Sequence, residues 1–320
     1  MIIGLLLFSF SITFAGCGNL SYSMAYEPDA TVSSMNVLNF ESGGKAETFA
    51  SDLCVVDTDL FGDGSLDLSN CTSAVLFDLN EKEVVYSRNA HTQLYPASIT
   101  KVMTALVAIQ NGSMDQVLTA TDAVTINESG AQLAGIKVGD QMTLYQALRI
   151  LLLYSANDVA NLIAENIGGS LDGFAQMMNE EAARIGATNT HFVNAHGLTD
   201  PDHYTTAYDL YLIFNEAIKY EAFTEIISLS NYETVIYDKT GKEKTISVKN
   251  TNGYINENFT APANVTVIGG KTGTTAAAGH CLILLSKNKN GSPYISVVLQ
   301  SESTDSLYSD MNALLTEVAK

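Results

Sequence analysis

Val265-Thr266-Val267-Ile268-Gly269-Gly270-Lys271-Thr272-Gly273-Thr274-Thr275-Ala276-Ala277-Ala278-Gly279-His280-Cys281-Leu282-Ile283-Leu284-Leu285 reads as two apolar strands joined through a polar, small-residue stretch. Short apolar runs rich in β-branched residues and bounded by glycine are strand signals rather than helix signals. A third run, Tyr294 to Leu299, follows, and Ser306 to Val318 then repeats apolar residues at helical spacing. At the other end of the chain, Ala74 to Phe77 and Glu83 to Tyr86 flank a turn at Asn80 and predict a hairpin. Thr234 to Tyr237 and Thr245 to Val248 flank a further polar turn. Between these strands lies a helical block: Ile99 to Ile109, stopped by Asn111-Gly112, then Leu144 to Leu153, Val159 to Ile167 and Leu171 to Ile185. Strands from both ends around central helices predict an α/β fold, with one antiparallel sheet completed by N- and C-terminal segments and helices packed against it. No internal repeat is visible.

Composition narrows the function. Nearly half of the 320 residues are apolar, enough for a large core, and the formal charge of -19 repels nucleic acid. Four cysteines, Cys17, Cys54, Cys71 and Cys281, include no C-x-x-C pair and no histidine at metal-ligand spacing, so no metal site and no cofactor is expected. Cys281 sits in an apolar strand and reads as core filling. Cys54 and Cys71 remain open between a disulfide and two free thiols. Asp57, Asp59 and Asp63 resemble a calcium loop, but Phe61 occupies a position that must supply an oxygen.

Three short motifs carry chemistry. Pro96-Ala97-Ser98-Ile99-Thr100-Lys101 opens the first helical stretch and places Ser98 one turn before Lys101 on the same face. A serine hydroxyl needs a neighbouring base, and a lysine serves when burial and nearby cations depress its pKa. Ser-x-x-Lys alone is weak, since a chain of this length shows about one by chance; Ser286 and Lys289 form such a decoy. Ser155-Ala156-Asn157 lies at a junction of two helical stretches, where both residue types are also good caps. Lys-Thr-Gly occurs twice. Lys239-Thr240-Gly241 sits in a polar hairpin turn, where glycine and lysine are expected for geometry and solvation. Lys271-Thr272-Gly273 follows a buried strand and leads into small residues that let a substrate backbone lie close, which selects Lys271.

The ordered Ser-x-x-Lys, Ser-x-Asn and Lys-Thr-Gly motifs resemble those of penicillin-binding proteins and class A β-lactamases. Tyr95 to Leu106, Asn189 to Leu198 and His203 to Asp209 resemble, more narrowly, the low-molecular-mass serine D-alanyl-D-alanine carboxypeptidases, from about Thr72 to the C-terminus. The resemblance implies a five-stranded antiparallel sheet flanked by helices plus a helical subdomain. It implies Ser98 as nucleophile, Lys101 as its base, and Ser155 as a relay for the proton delivered to the departing D-alanine. Asn157 would orient the substrate amide, Lys271 would set a positive field, and Thr272 would bind the terminal carboxylate beside Gly273. The N–H groups of Ser98 and Thr274 would form the oxyanion hole. Implied partners are a peptidoglycan stem peptide ending in D-Ala-D-Ala and β-lactams as acylating inhibitors, with no nucleic acid. The family uses no catalytic histidine, so His196 and His203 read as loop-holding residues.

Ile2 to Phe14 is an apolar run of signal-peptide length, which points to export. Phe14-Ala15-Gly16-Cys17 resembles a bacterial lipobox, which would put a lipid on Cys17 and the protein on the outer face of the cytoplasmic membrane; cleavage after Ala15 would instead give a secreted or wall-bound form. From Gly18 to Asn70 the chain reads as a flexible acidic linker, and 71–320 as the catalytic domain. Many relatives continue into a small β-rich domain and an anchor helix, whereas this chain stops at Lys320, so attachment is expected from the N-terminus. Two other readings compete. A β-lactamase-like hydrolase would need a deacylating Glu-x-x-x-Asn, absent between Asn157 and Lys271. A catalytically decayed peptidoglycan-binding protein would have lost motif residues, all of which are present.

Overall fold

The structure, a computed structural model, describes residues 53–61, 66 and 68–320. The expected signal peptide, Cys17 and most of the expected linker lie outside them.

Two segments distant in sequence build the main sheet. β1 (Ser73–Asp78) and β2 (Glu83–Arg88) form the N-terminal hairpin; β7 (Val265–Thr275), β8 (Gly279–Asn288) and β9 (Pro293–Ser301) come from the C-terminal end. They pair antiparallel in the order β2-β1-β9-β8-β7, with Val75 opposite Val297 and Ile283 opposite Val297 on the other side. β1 and β8 are buried along nearly their whole length because helices cover both faces. The sheet thus has the strands expected from both ends of the chain. One expectation is corrected. The Thr234–Val248 hairpin does not join it: β5 (Asn231–Tyr237) and β6 (Glu243–Lys249) belong to a second sheet with the three-residue strands β3 (Val117–Thr119) and β4 (Gln141–Thr143), in the order β3-β4-β5-β6. Its alternating exposed and half-buried residues fit a sheet with one face in solvent.

The helices are α1 (Lys101–Asn111), α2 (Leu144–Tyr154), α3 (Asn157–Gly168), α4 (Leu171–Ile185), α5 (Ala207–Ala217), α6 (Glu221–Ser228) and α7 (Thr304–Val318). Apolar residues surround α1 on every side, and Lys101 to Ala108 are all buried, so α1 is the central helix of the core. α7 covers the opposite face of the main sheet in a second apolar cluster with Leu282, Leu284 and Val298. None of the described helices is long and apolar enough to cross a membrane.

The stretch from 53 to 61, expected within the flexible linker, packs on the domain instead. Cys54 and Val56 join the main core; Cys54 N–H donates to the Tyr211 hydroxyl at 2.9 Å, and Leu60 exchanges backbone hydrogen bonds with Ser87. Cys54 and Cys71 are both free thiols, each buried, one in the main core and one in the α7 cluster.

Candidate active site

The site forms where the start of α1, the α2–α3 junction and edge strand β7 converge. Ser98 lies in a 3₁₀ turn, Ala97–Thr100, that precedes α1, so it stands just before the helix rather than inside it. Ala97 holds a left-handed φ of 47°. Two glycines make room for this strained turn. A Cβ on Gly197 would fall 1.9 Å from the Ala97 carbonyl oxygen, and one on Gly273 would stand 3.0 Å from the Ser98 nitrogen. Gly273 therefore lets β7 run against the backbone of Ser98.

Lys101, fully buried, is held at three points: Nζ lies 2.9 Å from Ser98 Oγ, 2.7 Å from Asn157 Oδ1 and 2.5 Å from the His196 carbonyl oxygen. A neutral amine has two N–H donors and one lone pair. With its donors on Asn157 and His196, the lone pair faces the Ser98 hydroxyl. Burial first, and then the positive charge of Lys271, hold its pKa well below the usual lysine value; Asp158 opposes them.

Neither Ser155 nor Asn157 caps a helix with its side chain. Ser155 ends α2 in the left-handed region, φ 67°, where its N–H donates to the Leu151 carbonyl oxygen but its side chain makes no capping bond; α3 starts from Ala156, also without a side-chain cap. Lys271 Nζ instead donates to Ser155 Oγ at 2.9 Å and to the Thr272 carbonyl at 2.8 Å. Burial lowers the Lys271 pKa to about 7. Lys271, Thr272, Gly273 and Thr274 lie within β7, which extends through the motif because its small residues still pair with β8, Lys271 opposite Ile283. Lys239 of the other Lys-Thr-Gly stands at the exposed turn between β5 and β6. Ser286 is buried in β8, away from these groups.

The structure brings Ser98, Ser155, Asn157, Thr272, Gly273 and Thr274 to the wall of one cleft of about 470 Å³, with Lys101 and Lys271 buried behind it. Three contributors were not read from the sequence. The Asp158 carboxylate accepts the backbone N–H groups of Ala134, Gly135 and Ile136 at 2.8–2.9 Å, and the Gln132 carbonyl accepts the Asn157 N–H at 2.8 Å, so the 130–136 loop is pinned as a cleft wall. The Thr251 hydroxyl meets the Thr272 hydroxyl at 2.6 Å. His280 lines the same cleft. Only an acidic residue in the first turn of a helix hinted at Asp158.

His203 bridges two loops. Its Nδ1 accepts the Val193 N–H at 3.2 Å, which leaves Nε2–H to donate to Thr100 Oγ1 at 2.8 Å. Burial lowers its pKa to about 4 and that of His196 to about 3, so both imidazoles are neutral at pH 7.

The D-alanyl-D-alanine carboxypeptidase family, peptidase family S11, matches residues 65–303. The chain belongs to this family. The D-alanyl-D-alanine carboxypeptidase DacF of Bacillus subtilis is 33% identical over 225 residues, 68% of this chain and 54% of that protein. A D-alanyl-D-alanine endopeptidase of Pseudomonas aeruginosa is 33% identical over 230 residues, 72% of this chain and 71% of that protein. The DD-transpeptidase of Streptomyces K15 superposes with a TM-score of 0.71 at 28% identity, covering 77% of this chain and 96% of that one. The chain spans between half and three-fifths of the length of the DacF protein and of two carboxypeptidases from Escherichia coli and Haemophilus influenzae.

Proposed function

We propose that the chain is a serine-type D-alanyl-D-alanine carboxypeptidase that removes the terminal D-alanine from peptidoglycan stem pentapeptides. The observation that carries this reading is the three-point hold on Lys101, which turns its lone pair toward Ser98 in an open cleft. Ser98 Oγ attacks the carbonyl carbon of the penultimate D-alanine while Lys101 takes the hydroxyl proton. The oxyanion that forms lies against the N–H groups of Ser98 and Thr274, which are fixed before the reaction begins. Collapse breaks the peptide C–N bond. The departing nitrogen receives a proton through Lys101 and Ser155, and D-alanine leaves. Water then attacks the acyl ester, Lys101 again takes its proton, and Ser98 is restored. Asn157 orients the substrate amide, and Thr272 with the Lys271 charge holds the terminal carboxylate. Incubation with a pentapeptide ending in D-Ala-D-Ala should release one D-alanine per peptide, and the Ser98→Ala variant none. A folded wild-type protein that releases no D-alanine contradicts the proposal.

The substrate lies outside the cytoplasm, and the apolar run from Ile2 to Phe14 supports export. The lipobox-like Phe14-Ala15-Gly16-Cys17 supports lipidation of Cys17 and anchoring to the outer face of the cytoplasmic membrane. A Cys17→Ser variant should then leave the membrane fraction. Unchanged membrane association would exclude lipid attachment at this residue. β-Lactams, which carry both a reactive carbonyl and a carboxylate, are expected to acylate Ser98.

A further inference from the structure

The cleft meets an anionic substrate with almost no charge on its surface. Among the described residues that line it there is no Asp, Glu, Lys or Arg, and His280 is the only basic side chain on the wall. The amines of Lys101 and Lys271 are fully buried, and burial lowers the Lys271 pKa to about 7. A carboxylate bound at the surface of this cleft thus needs donors beyond the Lys271 field.

His280 stands at the start of β8, directly opposite Thr274 across the β7–β8 ladder. Its Nδ1 lies 3.4 Å from the Thr274 hydroxyl and 3.3 Å from the hydroxyl of Thr304, the first residue of α7. Both threonines line the same cleft. The half-buried imidazole between them can share an Nδ1–H with the two hydroxyl oxygens, which leaves each hydroxyl hydrogen free to turn outward to a ligand oxygen. Two hydroxyl donors, one from β7 and one from α7, then face the cleft that Thr272 also lines.

We propose that His280, together with Thr274 and Thr304, is a specificity-determining group that selects peptides with a free C-terminal carboxylate. The proposal rests on the carboxypeptidase reading and adds to it a residue that none of the three sequence motifs contains. A hydrogen-bonding site built for an oxygen anion rejects a neutral isostere because its donors are left poorly matched.

The experiment compares two peptides, one ending in D-Ala-D-Ala with a free carboxylate and the other in D-Ala-D-Ala amide, and measures release of D-alanine or D-alaninamide. Wild-type protein should prefer the acid. His280→Ala should cut the ratio of kcat/KM for acid over amide by about tenfold, mainly through KM for the acid. His280→Asp should cut it further, because it puts a like charge against the carboxylate. Full acid preference in both variants, with wild-type activity present, overturns the role of His280 alone. No release from either peptide by wild-type protein overturns the carboxypeptidase reading itself.

Discussion

Lys271 Nζ donates to the Ser155 hydroxyl across 2.9 Å, joining the edge of the main sheet to the α2–α3 junction. The contact fixes two of the three motifs relative to each other and puts a second amine in the field of Lys101. Lys239 has no such setting, since it sits at an exposed hairpin turn. Replacing Lys271 with alanine should lower kcat/KM for D-Ala-D-Ala peptides on the order of a hundredfold or more, whereas Lys239→Ala should stay within a fewfold of the parent. Steady-state kinetics on the two variants checks this, and equal losses would contradict the assignment of Lys271 to the site.

On the proposed mechanism, the two lysines also set the pH response. Lys101 acts as a base only when neutral, and burial beside Lys271 keeps its pKa well below the ordinary value, so activity rises as pH increases through that depressed pKa. Lys271 attracts the carboxylate only when protonated, so kcat/KM falls as pH rises through about 7. The product is a bell in which the acid limb belongs to Lys101 and the alkaline limb to Lys271. Lys271→Arg, permanently charged, should retain part of the activity and move the alkaline limb upward. An alkaline limb that stays in place in that variant would assign it to another group.

Stability follows the opposite logic. The unfolded chain holds the Lys271 proton up to about pH 10.4, while the folded protein gives it up near 7. Between those values the unfolded state binds more protons, so folding stability rises with pH, and the cost is fully present below about 7. Lys271→Met removes the buried amine and should raise the unfolding free energy at pH 7 by ~1 kcal/mol or more while abolishing activity. Thermal unfolding of parent and variant at pH 6 and pH 9 reads both the sign and its pH dependence; a variant less stable than the parent at pH 6 would contradict the burial argument.

Asp158 is expected to matter as a positioning residue. Its carboxylate holds three consecutive backbone N–H groups of the 130–136 loop, and its neighbour Asn157 contacts both that loop and Lys101. Asp158→Ala should release the loop and raise KM several-fold. It should also shift the acid limb of the pH profile downward, because a charge that supports protonated Lys101 is lost. Asp158→Asn should keep much of the loop's order but show the same shift of the limb. Hydrogen exchange at Ala134 to Ile136 distinguishes the two variants, and an unmoved acid limb in both would deny Asp158 its electrostatic role.

What the sequence disclosed divides along physical lines. Ser98 and Lys101 were legible because three residues of helical chain bring two side chains onto one face whatever else the fold does. The strands of the main sheet and α1 to α4 were legible from their apolar periodicity. Ser155 and Asn157 were ambiguous, since capping uses the same residue types, and only the left-handed end of α2 and the Lys271 contact separate the two readings. Cys54 and Val56 were lost in an acidic stretch with no period, because their burial comes from tertiary contacts with Tyr211 and the β1 strand. The three-residue strands β3 and β4 carry too few residues for any pattern, so the second sheet was invisible. Asp158, Thr251 and His280 take their place in the site from loops and ladders that pack from distant parts of the chain.

The acyl-enzyme itself offers the most direct test of the whole arrangement. Ser98 lies 2.9 Å from the amine of Lys101, and the region from Asn157 to Lys271 carries no Glu-x-x-x-Asn to activate a deacylating water. On the proposed mechanism, a β-lactam would present a strained carbonyl to Ser98 and a carboxylate to Thr272. Its ring opens on attack, but the leaving nitrogen stays tethered to the acyl group and obstructs the cleft, whereas the D-alanine of a peptide diffuses away. Penicillin should therefore acylate the protein once and be released far more slowly than the natural peptide. Mass spectrometry after digestion should place a single adduct on the peptide that contains Ser98. Lys101→Ala should slow adduct formation sharply, because the hydroxyl loses its base, and circular dichroism should show the variant folded, since alanine fits a buried helix start. His196 and His203, neutral and held in loop contacts, should not carry the adduct or replace the base. An adduct on any other residue, or none on folded wild-type protein, would rule out Ser98 as the nucleophile and with it the reaction sequence built on Lys101.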